Sequence, residues 1–136
     1  LGIPVIGICR GAQLMCAMSG GSLIQDVTGH GRSHGMCISG TNEIITTSSL
    51  HHQMMFPWNV EHKIIAFSSP SRSKHYITHP PGADADIMLS DVPCEPEIVW
   101  FPKTKSLAIQ GHPEFMGIDS TYVKYCFELV KKYVTV

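Results

Sequence analysis

Three observations predict an α/β domain. A short apolar run, Ile3-Pro4-Val5-Ile6, leads straight into a glycine-flanked cysteine, Gly7-Ile8-Cys9-Arg10-Gly11. Ala12-Gln13-Leu14-Met15-Cys16-Ala17-Met18 follows, a segment rich in good helix formers. Further on, short β-type runs alternate with turn residues, and the chain closes on an amphipathic helix from about Ser120.

The first strand, around residues 3–8, is expected to be buried, because near-continuous apolar strands belong to parallel sheets covered on both faces. Cys9 ends it. Glycines on either side let the chain bend sharply, at φ values other residues avoid, and leave room for a ligand to come close. A helix starting at Gly11 would aim its N-terminal amides at the sulfur and favour the thiolate. This is the strand–nucleophile–helix elbow best known in its serine version. A buried structural cysteine is the alternative, since free Cys is among the most buried residue types.

The first helix ends at Ser19-Gly20-Gly21, as glycines commonly end helices. Ser22 to Gln25 reads as a short strand or turn, and a polar loop rich in glycine and histidine runs through His34. Met36-Cys37-Ile38 and Glu43 to Thr47 form two strands joined by the turn Ser39-Gly40-Thr41-Asn42. Ser48 to Pro57 is a loop or short helix, and Lys63 to Ser68 a strand. Residues 69–96, punctuated by Pro70, Pro80, Pro81, Pro93 and Pro96, are expected to be long and irregular. Glu97 to Phe101 and Ser106 to Gln110 flank Pro102-Lys103-Thr104-Lys105 as a hairpin. The last helix carries Val123, Phe127 and Val130 on one stripe, with Tyr122, Cys126, Leu129 and Tyr133 beside it.

At 136 residues with a formal net charge of −1, the chain suits one domain spanning 1–136 and carries no dominant basic patch. That argues against nucleic acid or an anionic membrane as partner, and no apolar run is long enough to span a bilayer. The five cysteines, at 9, 16, 37, 94 and 126, are odd in number and lack CxxC spacing. They indicate a reducing compartment and a cytoplasmic protein rather than a disulfide framework or zinc ribbon. Cys16, Cys37 and Cys126 fall on apolar stripes and are expected in the core, Cys94 in an exposed loop. Trp58 and Trp100 are expected to pack. The start at Leu1, three residues before a strand that needs neighbours, leads us to expect a preceding N-terminal part.

A second constellation, Gly111-His112-Pro113-Glu114, follows the last expected strand, where α/β sheets place chemistry. The proline biases His112 towards extended backbone. Glu114, two positions on, is placed to accept a hydrogen bond from one ring nitrogen and leave the other facing a nucleophile. Cysteine needs such a partner, since its ordinary pKa of about 8.5 leaves only a few per cent thiolate at neutral pH. Alone, the motif also reads as a His-Pro turn with a solvated glutamate.

Together the motifs resemble the class I glutamine amidotransferases. Gln13 extends the elbow to Gly-x-Cys-x-Gly-x-Gln, and Gly20-Gly21-Ser22-Leu23-Ile24-Gln25-Asp26 is similar to the family's Gly-Gly segment. Ser49-Leu50-His51-His52-Gln53 resembles the Asn-Ser-x-His-His-Gln stretch of the peptidase C26-like branch that includes gamma-glutamyl-GABA hydrolases. The resemblance runs from residue 1 to about 115. It implies a flavodoxin-like α/β sheet with flanking helices, seen from the nucleophile strand onward.

It also implies a Cys-His-Glu triad: Cys9 attacks a glutamyl γ-amide, His112 carries the proton and Glu114 orients the imidazole. The Arg10 backbone amide would form half of the oxyanion hole, the Arg10 side chain having no catalytic role. Gln13 and the backbone around Ser49 and Leu50 match positions that hold the glutamyl amino and carboxylate groups. The implied substrate is glutamine or a γ-glutamyl amide, hydrolysed through a thioester, with ammonia in some members passed to a synthetase partner or domain. Ser48-Ser49 replaces the usual Asn-Ser, and the family's second oxyanion amide comes from an N-terminal loop not seen in this sequence. A non-catalytic glutamyl-binding or regulatory module is the alternative function. A related α/β cysteine hydrolase is a further one, disfavoured because that group usually lacks the strand-end His-Pro-Glu.

No cofactor is expected. His30 and His34 are four apart and His51-His52 adjacent, but no carboxylate or cysteine completes a metal set at recognisable spacing, so no metal is expected either.

Overall fold

Cys9 sits between a strand and a helix. β1 (Val5–Ile8) leads directly into α1 (Arg10–Met18), with Cys9 as the cap residue. In chain order there follow β2 (Ser22–Ile24), β3 (His34–Ile38), β4 (Ile44–Thr47), β5 (Met54–Phe56), β6 (Lys63–Ser68), β7 (Ile77–Thr78), β8 (Ile87–Met88), β9 (Pro96–Phe101) and β10 (Ser106–Ile109). A single 3₁₀ turn, Pro113–Phe115, precedes α2 (Thr121–Tyr133). The computed structural model describes residues 2–79, 82–89 and 92–135. Leu1, Val136, and Pro80 and Pro81 of the proline-rich stretch lie outside the described residues.

The main sheet has six strands in the order β1-β10-β9-β6-β3-β4. β1 and β10 run parallel, Ile8 opposite Ile109, while the β10–β9, β9–β6, β6–β3 and β3–β4 pairings are antiparallel. β2 pairs with β5 and β7 with β8 in two small ladders. The α/β sheet with flanking helices agrees with the resemblance, while the sheet itself is mixed, with one parallel and four antiparallel pairings.

Side chains alternate across β9 and β10 because a strand's period is two. Ile98, Leu107 and Ile109 join the core beneath α2, with Tyr122, Cys126 and Leu129. Val99, Phe101 and Ala108 face the opposite side and pack with Ala12 and Cys16 of α1. The two helices therefore cover opposite faces, and the sheet's central strands are buried on both.

Several expectations are corrected. β1 lies at the edge of the described sheet, with Val5 and Ile6 exposed by 41% and 38%, because it has a hydrogen-bonded neighbour only in β10. α1 begins at Arg10 rather than Gly11. On α2 the buried residues are Tyr122, Val123, Cys126 and Leu129, drawn from both adjacent apolar stripes, while Phe127 is 55% exposed. Cys37 is only half-buried, its thiol reaching the Thr41 carbonyl across the β3–β4 turn at 3.4 Å. Cys94 is half-buried rather than exposed, and burial pushes its thiol up to about 11. The 48–57 segment contains β5, and the stretch expected to be irregular holds β7 and β8.

Other readings agree with the structure. Ser120 caps α2, its hydroxyl accepting from the Val123 amide at 3.1 Å. Trp100 packs on Tyr133 and Trp58 on Phe56, with centroids 4.9 and 5.0 Å apart. No helix among the described residues is long and apolar enough to cross a membrane.

Candidate active site

Cys9 has φ 51° and ψ −106°, a conformation that a non-glycine residue avoids. Strain of this kind persists only where the surroundings over-determine it. Here the Cys9 amide donates to the Ile109 carbonyl at 2.8 Å, extending the parallel β1–β10 ladder, and the Gln13 amide donates to the Cys9 carbonyl at 3.2 Å, opening α1. The chain must change from strand to helix at one residue, and that residue is the cysteine. The two glycines divide the work differently from the sequence expectation. Gly7 is required by crowding, since a Cβ there would lie 2.3 Å from the Gly11 carbonyl oxygen. At Gly11 a Cβ would meet nothing within 4 Å, so this glycine leaves open space beside the sulfur-bearing turn.

Burial raises the Cys9 thiol above its ordinary range, and the nearby Glu114 carboxylate pushes the same way. The Arg10 backbone amide, hydrogen-bonded to the sulfur, and the Gln110 side chain work against that rise without cancelling it. The net direction is upward, so the helix N-terminus does not outweigh burial at this sulfur. The Arg10 side chain itself is exposed.

β10 delivers His112. It runs beside β1, and three residues past its end His112 caps the 3₁₀ turn that Pro113 opens. The His112 Nδ1–H donates to Glu114 Oε1 at 2.6 Å, which leaves Nε2 as the nitrogen with the free lone pair. Phe115 stacks on the imidazole with centroids 4.5 Å apart and an 18° interplanar angle. The His112 side chain is 16% exposed and that of Glu114 50%.

Two residues not singled out in the sequence hold this geometry. Ser48 Oγ accepts from the His112 amide at 2.9 Å and donates to the His112 carbonyl at 2.6 Å, clamping the residue from both sides. The sequence offered Ser48 only as a departure from Asn. Gln110, fully buried, donates from Nε2 to the Cys9 carbonyl at 3.5 Å and lies 4.0 Å from Sγ. Its one sequence signal is its place immediately before Gly-His-Pro-Glu.

The remaining candidates are placed as follows. Gln13 is buried and turned inward, its amide donating to the Gln53 carbonyl at 3.1 Å and to Gln110 Oε1 at 3.4 Å. It ties α1 to the 48–53 loop and to the end of β10. The Ser49 hydroxyl donates to the His30 carbonyl at 2.7 Å, and Leu50 is 63% exposed. Among the described residues the backbone groups of Ser49 and Leu50 make no backbone hydrogen bond. The most apolar cavity, about 440 Å³, opens beside Glu114 between Ile8, Ile109, Val123 and Phe127 and does not include Cys9.

His30 and His34 meet carboxylates in the fold. The carboxylates that sequence spacing did not supply come from β9 and the residue before it: Glu95 lies 2.8 Å from His30, and Glu97 3.4 and 3.2 Å from His30 and His34.

The mixed sheet with its flanking helices is the fold of solved glutamine amidotransferase-like structures. Residues 1–54 match the family model of peptidase C26. A candidate GMP synthase subunit from Thermoplasma acidophilum superposes with TM-score 0.60 at 18% identity, covering 92% of this chain and 54% of that one. A glutamine amidotransferase from Thermotoga maritima superposes with TM-score 0.50 at 15% identity, covering 95% of this chain and 49% of that one. The chain thus spans about half the length of the solved structures it matches. No curated protein matches it in sequence.

Proposed function

We propose that this domain is the catalytic part of a cysteine-dependent hydrolase acting on the amide of glutamine or of a γ-glutamyl amine. The observation that carries the reading is the strained Cys9 at the β1–α1 junction, set beside a strand that ends in a Glu114-oriented His112.

In the proposed reaction Cys9 Sγ attacks the γ-carbonyl carbon as its proton passes to His112 Nε2. The Arg10 amide stabilises the oxyanion; one such donor contributes about 2.7–4 kcal/mol. The C–N bond breaks as His112 returns the proton to the departing nitrogen, giving ammonia or a free amine and a γ-glutamyl thioester. Water, deprotonated by His112, then releases glutamate and regenerates the thiol. Glu114 keeps the Nδ1 proton in place and offsets the imidazolium charge. The raised thiol fits a mechanism in which deprotonation accompanies attack. Ser49 and Leu50 would offer backbone groups to the glutamyl carboxylate or amine, with Gln13 bracing the loop that carries them.

The similarity to a protein named for GMP synthase supports a further reading in which ammonia goes to a synthetase partner or domain. Five free thiols support a reducing, cytoplasmic setting.

A glutamine-analogue diazo-ketone is expected to label Cys9 selectively in the whole protein, and Cys9→Ser to abolish labelling and glutaminase activity together. Labelling spread over all the cysteines would overturn the assignment. The raised Cys9 thiol also favours a second reading, a glutamyl-binding module without turnover. Binding of glutamate analogues with no labelling and no hydrolysis would decide for it.

A further inference from the structure

Behind the loop that carries Ser49 and Leu50 lies a buried group the proposed chemistry does not use. His30, His34, Glu95 and Glu97 are exposed by 5% or less, and His51 packs against them, its ring centroid 4.6 Å from that of His30.

Each of these histidines has one nitrogen committed to an acceptor. His30 Nε2 donates to Glu95 Oε1 at 2.8 Å. His34 Nδ1 lies 3.0 Å from the Gly35 carbonyl and His51 Nδ1 2.6 Å from the Gln53 carbonyl. A carbonyl oxygen only accepts, so the proton sits on that nitrogen in each case. The other nitrogens, His30 Nδ1, His34 Nε2 and His51 Nε2, are buried without a hydrogen-bond partner among the described residues, as are both Glu97 oxygens. This is how metal-ligating histidines are held, with the second ring N–H given to a carboxylate or backbone carbonyl. Glu95 is itself fixed, accepting from the Arg72 and Ser73 amides at 2.7 and 3.0 Å and from the Tyr76 hydroxyl.

The distances fit an ion better than a direct contact. His30 Nδ1 and His34 Nε2 lie 3.4 and 3.2 Å from Glu97 Oε1, and the three ligand atoms fall within 4.8 Å of one another. Bonds of about 2.0–2.2 Å in a tetrahedral shell separate neighbouring ligand atoms by about 3.4 Å. The carboxylate is in hydrogen-bond reach of both rings, yet neither ring nitrogen is aligned to bond it. Charge agrees. A divalent cation would offset the charge of the Glu97 carboxylate and of Glu95 behind His30.

We propose that His30 Nδ1, His34 Nε2 and the Glu97 carboxylate bind a divalent first-row metal ion, zinc foremost, with His51 Nε2 or a water as the fourth ligand. Nitrogen and carboxylate donors without thiolate suit zinc, and the full burial suits a structural rather than a catalytic ion. The ion would brace the 48–53 loop, because the Ser49 hydroxyl and the His51 amide both donate to the His30 carbonyl, at 2.7 and 3.0 Å.

The test is metal content and cobalt spectroscopy on the purified protein, stripped with chelator, reloaded and desalted. About one zinc per chain is expected to remain. Cobalt(II) should give the intense visible bands of a four-coordinate site, without a thiolate charge-transfer band. Glu97→Gln and His34→Asn should lose the ion. Glu95→Gln, which touches no metal, should weaken it about 10–100-fold. Circular dichroism on each variant separates loss of the site from loss of the fold. Two results would overturn the site: folded wild-type protein that retains only trace zinc, or cobalt bands carrying thiolate character. In either case the cluster is held by protons.

Discussion

Ser48 illustrates how much a single hydroxyl can set. It accepts from the amide and donates to the carbonyl of His112 at 2.9 and 2.6 Å, so the imidazole is aimed by a residue 64 positions away in sequence. Ser48→Ala removes both bonds and leaves two peptide groups short of a partner in a largely buried site. Small misplacements of a reacting group cost about 10²-fold. In the whole protein we therefore expect Ser48→Ala to lower kcat by about that factor with KM little changed, measured by steady-state glutaminase kinetics. An equal loss in KM would mean that Ser48 serves binding rather than alignment of the base. The residues that could be named from sequence alone, Cys9, His112 and Glu114, are those whose roles follow from their immediate neighbours. Ser48 and Gln110 act across the fold and leave almost no local signal.

At the level of elements, the β1–α1 elbow separates two glycines that look equivalent in the sequence. A methyl group on Gly7 would overlap the Gly11 carbonyl, whereas one on Gly11 would meet open space. Gly7→Ala should cost more than about 4 kcal/mol, the range reserved for strain and overpacking in a rigid site. Gly11→Ala lies inside α1 and should be neutral or stabilising by up to about 1 kcal/mol. Urea denaturation of the two variants checks both; similar losses would show that the elbow relaxes. The β9–β10 hairpin and the capped α2 were legible because turn residues and Ser120 act locally. Which residues of the two adjacent apolar stripes of α2 are buried was not, since contact with the sheet decides it.

Across the whole molecule, the buried thiols tie stability to pH. Cys16 and Cys126 lie in the cores under α1 and α2, and burial pushes them up to about 12 and about 11. Above pH 8.5 or so an unfolded chain loses these protons while the folded one keeps them, so stability falls as pH rises. Each thiol contributes a slope of about 1.4 kcal/mol per pH unit from there to its folded value. Under reducing conditions the urea midpoint should be insensitive to these groups below pH 8 and drop steadily from 8.5 to 10.5. Cys126→Val should remove one thiol's share of the slope. A slope unaltered by that substitution would place the pH dependence elsewhere.

The sequence by itself determined the order of the main elements, the elbow at Cys9, the His-Pro-Glu turn and the family resemblance. These follow from backbone preferences and periodicities that act over a few residues. Only the tertiary structure decided the mainly antiparallel sheet, the exposed edge at β1, the Ser48 clamp and the meeting of His30 and His34 with Glu97. Strand order and register place residues from 63 to 67 positions apart at bonding distance. That outcome depends on which faces the whole chain can bury together, and no local pattern encodes it.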